Sequence, residues 1–237
     1  MPGLELTLTG YDNMTADKGF LPLLIDLTGR KIVIFGGGSV GERKSSLFSR
    51  YADVTVISSM FTSALEELSL GNKVKLLEAD IGSLSDDDIN ELIHGSFLVI
   101  PATNDPLLNR KIMDVAREKD ILVNQVDGIG DVVVPSVIQR GDLTIGISTL
   151  GSSPALSKYT RMKIEDVITP EYGDMIRLQD DVRKFLKENV GDQKTRKAIL
   201  WKVLENGSVW SLLSQSYEKA YNVAYDIVLE QIDKTQQ

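Results

Sequence analysis

The chain has 237 residues, 42% of them hydrophobic and 25% charged, with a formal net charge of −8. That is the composition of a folded globular protein, and its acidic balance argues against nucleic acid or an anionic membrane surface as a partner, leaving room for a local basic pocket. Cysteine is absent, which excludes disulfides, thiolate catalysis, cysteine-bound zinc and directly ligated iron–sulfur clusters; the single histidine, His94, leaves no His-rich metal centre.

No basic-then-apolar leader opens the sequence, and no run approaches the roughly 18 apolar residues of a membrane span, so a cytoplasmic chain is expected. Residues 1–19 (MPGLELTLTGYDNMTADKG) are polar and unpatterned and are read as a flexible extension. Strand and helix then alternate. The expected strands are 31–35, 53–57, 73–77, 97–100 and 121–123; they are short, rich in Val, Ile and Leu, and lack strict polar alternation, as strands covered on both faces do. Between them lie helical patterns at 39–50, 62–70, 86–94 and 106–119. The last opens with Asp105 as N-cap and Pro106 at the first helical position. His94 closes the third, where a last-turn imidazole meets the helix dipole. This order indicates an α/β fold, a doubly wound parallel sheet.

The pattern changes after residue 131. Two β-rich runs, 132–139 and 142–149, flank Arg140 and Gly141 and read as a hairpin, the Arg-Gly-Asp tripeptide being turn chemistry rather than an adhesion motif. A projecting hairpin cannot bury both its faces alone, which points to an interface, most simply that of a symmetric homodimer. From Gly151 the chain is helical. Ser153 caps a helix through residue 168 with Pro154 in its first turn, and two or three more helices follow, broken near 169–170, 189–191 and 206–207. Trp201, Val203, Leu204, Trp210, Leu212 and Leu213 are spaced as a core-facing stripe.

The chemistry gathers at strand ends. KIVIFGGGSVG (31–41) places Gly36, Gly38 and Gly41 directly behind a strand and at the start of a helix, with Ser39 and Val40 in its first turn. Gly36 permits the tight turn, Gly38 the approach of a pyrophosphate and Gly41 close helix–strand packing, so a dinucleotide is indicated, with a purely structural turn as the alternative. The second strand ends in Ser58, Ser59 and Met60, where an acid that grips the ribose is usual. On residues alone, NAD, NADP and a non-dinucleotide anion remain open. VIPATNDPLLNR brings Thr103 and Asn104 to the same edge, and LVNQVDG brings Asn124 and Asp127. Asp127 is the candidate acid–base group; a turn-forming Asp before Gly is the alternative.

In this order GGGSVGERK, PATNDPLLNR, VNQVD, VPSVIQRGDLTIGIST and GSSPALSKYTRMKIE resemble the precorrin-2 dehydrogenases, including the N-terminal module of siroheme synthases, from about residue 21 to 228. The resemblance implies an NAD-dependent oxidation of precorrin-2 to sirohydrochlorin. It implies Asp127 as the essential aspartate, and NAD contacts from Gly36, Gly38, Ser39, Val40, Gly41, Ser58, Ser59, Met60, Thr103, Asn104 and Asn124. The family commonly has Ala where this chain has Gly41, a change compatible with the glycine fingerprint, and it commonly lacks the second-strand acid. A substrate bearing many carboxylates calls for local cations, for which Arg43, Lys44, Arg140, Lys158, Arg161 and Lys163 are available; Arg140, Lys158, Arg161 and the helix start at Ser152 and Ser153 are the chosen substrate contacts. The implied parts are an extension (1–19), an NAD-binding Rossmann domain (20–131), a strand-rich dimerisation segment (132–150) and a helical domain (151–237). Two alternatives accompany this reading: a bifunctional enzyme that also inserts ferrous iron into sirohydrochlorin without a dedicated metal site, and a ligand-sensing Rossmann module.

Overall fold

The computed structural model describes residues 19–236, so all of the expected extension but Gly19 lies outside the described residues. Five strands, β1 (Lys31–Phe35), β2 (Asp53–Ser58), β3 (Val74–Glu78), β4 (Leu98–Pro101) and β5 (Leu122–Val123), form one parallel sheet in the order β3-β2-β1-β4-β5. Helices α1 (Ser39–Phe48), α2 (Ser63–Leu70), α3 (Asp86–Ile93) and α4 (Pro106–Glu118) connect them, with a single 3-10 turn at Ile81–Ser83. The chain order reverses between β1 and β4, which is where open α/β sheets bind ligands.

The unalternating apolar strands have the predicted cause. Val33, Phe35 and Val99 face a core completed by Ile89 and Ile93 of α3 and Ile112 of α4. Ile32, Ile34, Val54 and Ile100 face the opposite core with Phe48 of α1 and Leu65 of α2. Each fully buried Val or Ile contributes about 1.5–3 kcal/mol relative to exposure. β3 is the exception: as an edge strand it leaves Lys75, Leu77 and Glu78 exposed. His94 ends α3 as expected, and its carbonyl, with that of Leu92, accepts from Lys31 Nζ (both 2.9 Å).

The hairpin is shorter than predicted, β6 (Ser136–Arg140) pairing antiparallel with β7 (Leu143–Ile147). Residues 132–134 are instead drawn back to the sheet, where the Val132 N–H donates to the Val123 carbonyl (3.1 Å), and Pro135 has no N–H to give a ladder. The turn is Gly141–Asp142 rather than Arg140–Gly141: Arg140 pairs with Leu143, and Gly141 takes φ +56°. Gly141 meets Gly173, whose own Cβ would lie 3.0 Å from the Arg140 carbonyl carbon, so the hairpin tip seats on a helix start that has no side chain there.

The tail comprises α5 (Pro154–Glu165), α6 (Glu171–Asn189), α7 (Gln193–Leu204), α8 (Gly207–Leu213) and α9 (Tyr217–Gln236). α5 ends three residues short of the predicted end at 168, and four helices follow it rather than two or three. The missed break, Ser214–Ser216, contains neither Gly nor Pro. α6 to α9 enclose their own core, with Leu178, Val203, Val209, Ala220 and Val228 fully buried. Trp201 departs from its predicted inward place: it is 51% exposed, whereas Trp210 packs on Tyr172 with ring centroids 4.8 Å apart. No helix among the described residues is long and apolar enough to cross a membrane.

Candidate active site

The glycine loop is built by crowding on one side and openness on the other. Gly36 has φ +119°, and a Cβ there would stand 2.3 Å from the Ala102 carbonyl at the end of β4. A Cβ on Gly37 would stand 2.1 Å from the Met60 carbonyl, and one on Gly41 only 1.9 Å from the Gly36 carbonyl. An alanine at position 41 therefore does not fit this backbone without a shift. Gly38, by contrast, faces open space, with nothing within 4 Å of its Cβ direction. The Gly36 N–H donates to the Ile57 carbonyl (2.8 Å) and the Thr62 N–H to the Gly37 carbonyl (3.2 Å), stitching the loop to β2.

Side chains cap the first turns of α2 (Thr62), α3 (Ser85), α4 (Asp105), α5 (Ser153), α7 (Asp192) and α8 (Asn206). α1, with Gly38 at its N-cap position, has no side-chain cap, as is also true of α6, so the N–H groups of Ser39, Val40 and Gly41 lack one at the positive end of the helix. An open approach at Gly38 and uncapped donors behind it fit a dinucleotide diphosphate. Ser45, absent from the sequence reading, is fully buried and its hydroxyl donates to the Gly41 carbonyl (2.8 Å), fixing the first turns of α1.

The other predicted cofactor residues border this loop in different states. Ser58 is buried and its Oγ accepts from the Met60 N–H (3.4 Å), while Ser59 and Met60 are exposed beside it. Thr103 is held by Asn109, a residue the sequence reading left unassigned. Its N–H and hydroxyl both donate to Asn109 Oδ1 (3.0 and 2.7 Å), and Asn109 Nδ2 donates back to the Thr103 carbonyl (3.0 Å). Asn104 is left exposed at the turn. Asn124, only 4% exposed, is tied inward: Nδ2 donates to the Val132 carbonyl (2.8 Å), and Oδ1 accepts from Lys44 Nζ (2.6 Å).

Asp127 lies beyond β5 in a loop closed at its base. The Asn124 N–H donates to Val99 (3.0 Å), the Asp131 N–H to Val123 (2.9 Å), and the Val123 N–H to Asp131 Oδ2 (3.1 Å). Asp131 is steadied in turn by Arg117 (3.7 Å). The exposed carboxylate of Asp127 thus stands on a tethered loop at the C-terminal edge of the sheet. The segment before α5 touches the same loop: Gly151 (φ +80°) would place a Cβ 3.8 Å from Ile129. Ser152 is exposed there, and Ser153, the α5 cap, is locked by Thr149, whose Oγ1 accepts from the Ser153 N–H (3.1 Å) and donates to its carbonyl (3.0 Å).

The predicted cations are less uniform. Arg140 Nε donates to the Ile168 carbonyl (3.0 Å), tying the hairpin to the segment between α5 and α6, and Nη1 donates to the Gln139 carbonyl within the hairpin (3.0 Å). Arg161 pairs with Glu165 at 3.7 Å, and Lys158 is exposed on α5. A separate cavity of about 1070 Å³ lies in the tail between the hairpin turn and α6–α8, lined in part by Tyr172, Arg177, Asp180 and Trp210. It contains none of the sheet-edge groups, so the open loop at Gly38, not this hollow, is the candidate cofactor site.

Comparison with known proteins agrees with this geometry. Residues 23–136 match a family model described as "Putative NAD(P)-binding". The precorrin-2 dehydrogenase of Methanosarcina barkeri is 60% identical over 215 residues, 91% of this chain and 96% of that protein. Siroheme synthase 1 of Yersinia enterocolitica is 31% identical over 83% of this chain but only 40% of its own length. Among solved structures, SirC, a precorrin-2 dehydrogenase, shares the fold with a TM-score of 0.68 at 22% identity, covering 91% of this chain and all of that one. The chain belongs to the precorrin-2 dehydrogenase family, enzymes built on a nicotinamide-dinucleotide-binding domain.

Proposed function

We propose that the protein oxidises precorrin-2 to sirohydrochlorin with NAD as acceptor. The carrying observation is the pairing of an uncapped α1 start behind the open Gly38 with an exposed, tethered Asp127 at the same edge of the sheet. The reaction removes two hydrogens from the macrocycle, one as hydride and one as a proton. The bound nicotinamide supplies the hydride acceptor. Asp127 takes the proton, its exposure letting it reach the substrate while the loop base holds its position. The Gly38–Gly41 turn binds the diphosphate through main-chain N–H groups.

NAD rather than NADP is favoured because residues 58–62 (SSMFT) contain no Arg or Lys to meet a 2′-phosphate. Residues 20–131 carry the cofactor, and residues 132–150 with α5 carry a homodimer contact. The support for the dimer is that α5 has no buried residue while Leu156, Tyr159 and Met162 are each more than half exposed. The tail from 151 onward completes the substrate side through Ser152, Ser153 and Lys158. The cytoplasm is the proposed setting. Iron insertion is left out of this reading, since the 60%-identical relative carries the dehydrogenase name alone.

Freshly made precorrin-2 supplied with NAD, then NADP, tests the proposal through the appearance of sirohydrochlorin. Turnover is expected with NAD; none with either cofactor overturns the reading, and preference for NADP overturns the cofactor assignment. A second arm with sirohydrochlorin and ferrous iron, corrected for spontaneous insertion, is expected to stay at background.

A further inference from the structure

Lys44 is a half-buried ammonium without a matching negative charge. Its Nζ reaches from α1 to Asn124 Oδ1 at 2.6 Å, and no carboxylate of the described residues pairs with it within 4.0 Å. Burial, reinforced by neighbouring Arg43, pushes its pKa down. Two other part-buried lysines are better supplied. Lys31 donates to two carbonyls at the end of α3, and Lys111 donates to the Leu84 carbonyl while pairing with Asp86 at 3.3 Å. Lys44 has one neutral acceptor and two further N–H donors to place. A charge withdrawn from water in this way is stable when something anionic completes it.

The position of Lys44 says which anion. The glycine loop at the start of α1 already provides for the diphosphate. Asn124 ends β5, across β4 from that loop, in the half of the crevice where the reacting ring and substrate meet, and three residues before Asp127. Because Asn124 is buried and tied to Val99 and Val132, it holds the ammonium at a fixed point. Of the cations expected from the sequence, Arg140 is engaged by protein carbonyls, while Arg161 pairs with Glu165 at 3.7 Å and keeps a buried Nε without a partner among the described residues.

We propose that Lys44 is a substrate-binding residue whose ammonium, steadied on Asn124, receives one peripheral carboxylate of the tetrapyrrole. The assignment rests on the dehydrogenase reading above. It makes Lys44 a determinant of substrate affinity: the carboxylate it holds strengthens binding of precorrin-2 and of sirohydrochlorin alike.

The test uses Lys44→Gln, which removes the charge and leaves a neutral amide donor one atom shorter on the side chain. Sirohydrochlorin affinity is expected to fall by about tenfold or more, with KM for precorrin-2 rising in parallel and kcat within about threefold. NADH affinity should stay within twofold of the unsubstituted chain. Unchanged sirohydrochlorin affinity overturns the proposal, and an equal loss of NADH affinity assigns Lys44 to the cofactor instead. The unsubstituted protein gives a second reading that needs no variant: with lysine side chains labelled with ¹³C, the Lys44 ε-carbon should titrate at higher pH once sirohydrochlorin is bound. An unmoved titration also overturns it. If the unsubstituted chain fails to oxidise precorrin-2 and binds no sirohydrochlorin, the functional reading falls; if it does both and Lys44→Gln matches it, only this assignment falls.

Discussion

The sheet and the layer around α5 hold their apolar residues in opposite ways. In β1, Ile32, Val33, Ile34 and Phe35 are all fully buried, covered by α1 and α2 on one face and α3 and α4 on the other. In α5 none of twelve residues is buried, and the hairpin beneath it buries only Ile138. The tail helices again close a core of their own. Two bodies with cores of their own thus flank a layer whose apolar side chains are left over, and the Asp127 loop belongs to the first body while its neighbour, the Gly151 turn, belongs to that layer.

The largest expected effect sharpens the catalytic side of this contrast. Asp127→Asn should lower turnover by about 10²- to 10⁴-fold with NADH affinity and melting temperature unchanged, because an exposed loop-tip carboxylate contributes chemistry and not packing. Loss of NADH affinity in step with turnover would make the residue structural.

Within the first body, crowding and openness should separate. Gly41→Ala drives a methyl into the Gly36 carbonyl and is expected to destabilise the fold by about 1–3 kcal/mol, read as a lower denaturation midpoint. Gly38→Ala should leave that midpoint alone and weaken NADH binding, since its methyl enters open space on the diphosphate side. Equal destabilisation by both would erase the distinction between the two glycines.

The α5 layer can be broken on its own. Met162→Glu, on a side chain 52% exposed, should leave thermal stability of the dilute chain intact and shift sedimentation at micromolar concentration from dimer to monomer. A 26 kDa species already seen for the unsubstituted chain would remove the dimer.

The smallest effect lies at the start of α3, within the first body. Asp88 is held below the usual carboxylate range by hydrogen bonds from the Ser85 hydroxyl and N–H. A folded value below the unfolded one means that stability is present above the unfolded pKa and is lost as pH falls through the folded one. Ser85→Ala should cost about 1 kcal/mol as a lost N-cap and flatten the acid limb of a melting-temperature profile. An acid limb unchanged by the substitution would detach Asp88 from that loss.

Legibility followed the range of each interaction. The glycine loop, the Asp105–Pro106 helix start and the alternation of strands with helices are written in neighbouring residues and are readable. The Asp127 loop was readable in position but not in support, since its closure depends on Asp131 returning to Val123. The Lys44–Asn124 bond joins residues 80 apart, and no local pattern announces it. The break at 214–216 was invisible because Ser and Gln occur equally within helices. Trp201 misled because helical spacing alone does not say which of two adjacent stripes faces inward.

The placement of the two tryptophans has an optical consequence. Both lie in the tail, one partly buried with its Nε1–H on the Leu204 carbonyl (2.7 Å) and one half in water. Intrinsic emission therefore has a blue and a red component, and melting of the sheet alone changes neither directly. Because that emission overlaps the absorption band of reduced nicotinamide, energy transfer from the tail to bound NADH becomes a ruler between the two bodies, read without any added label.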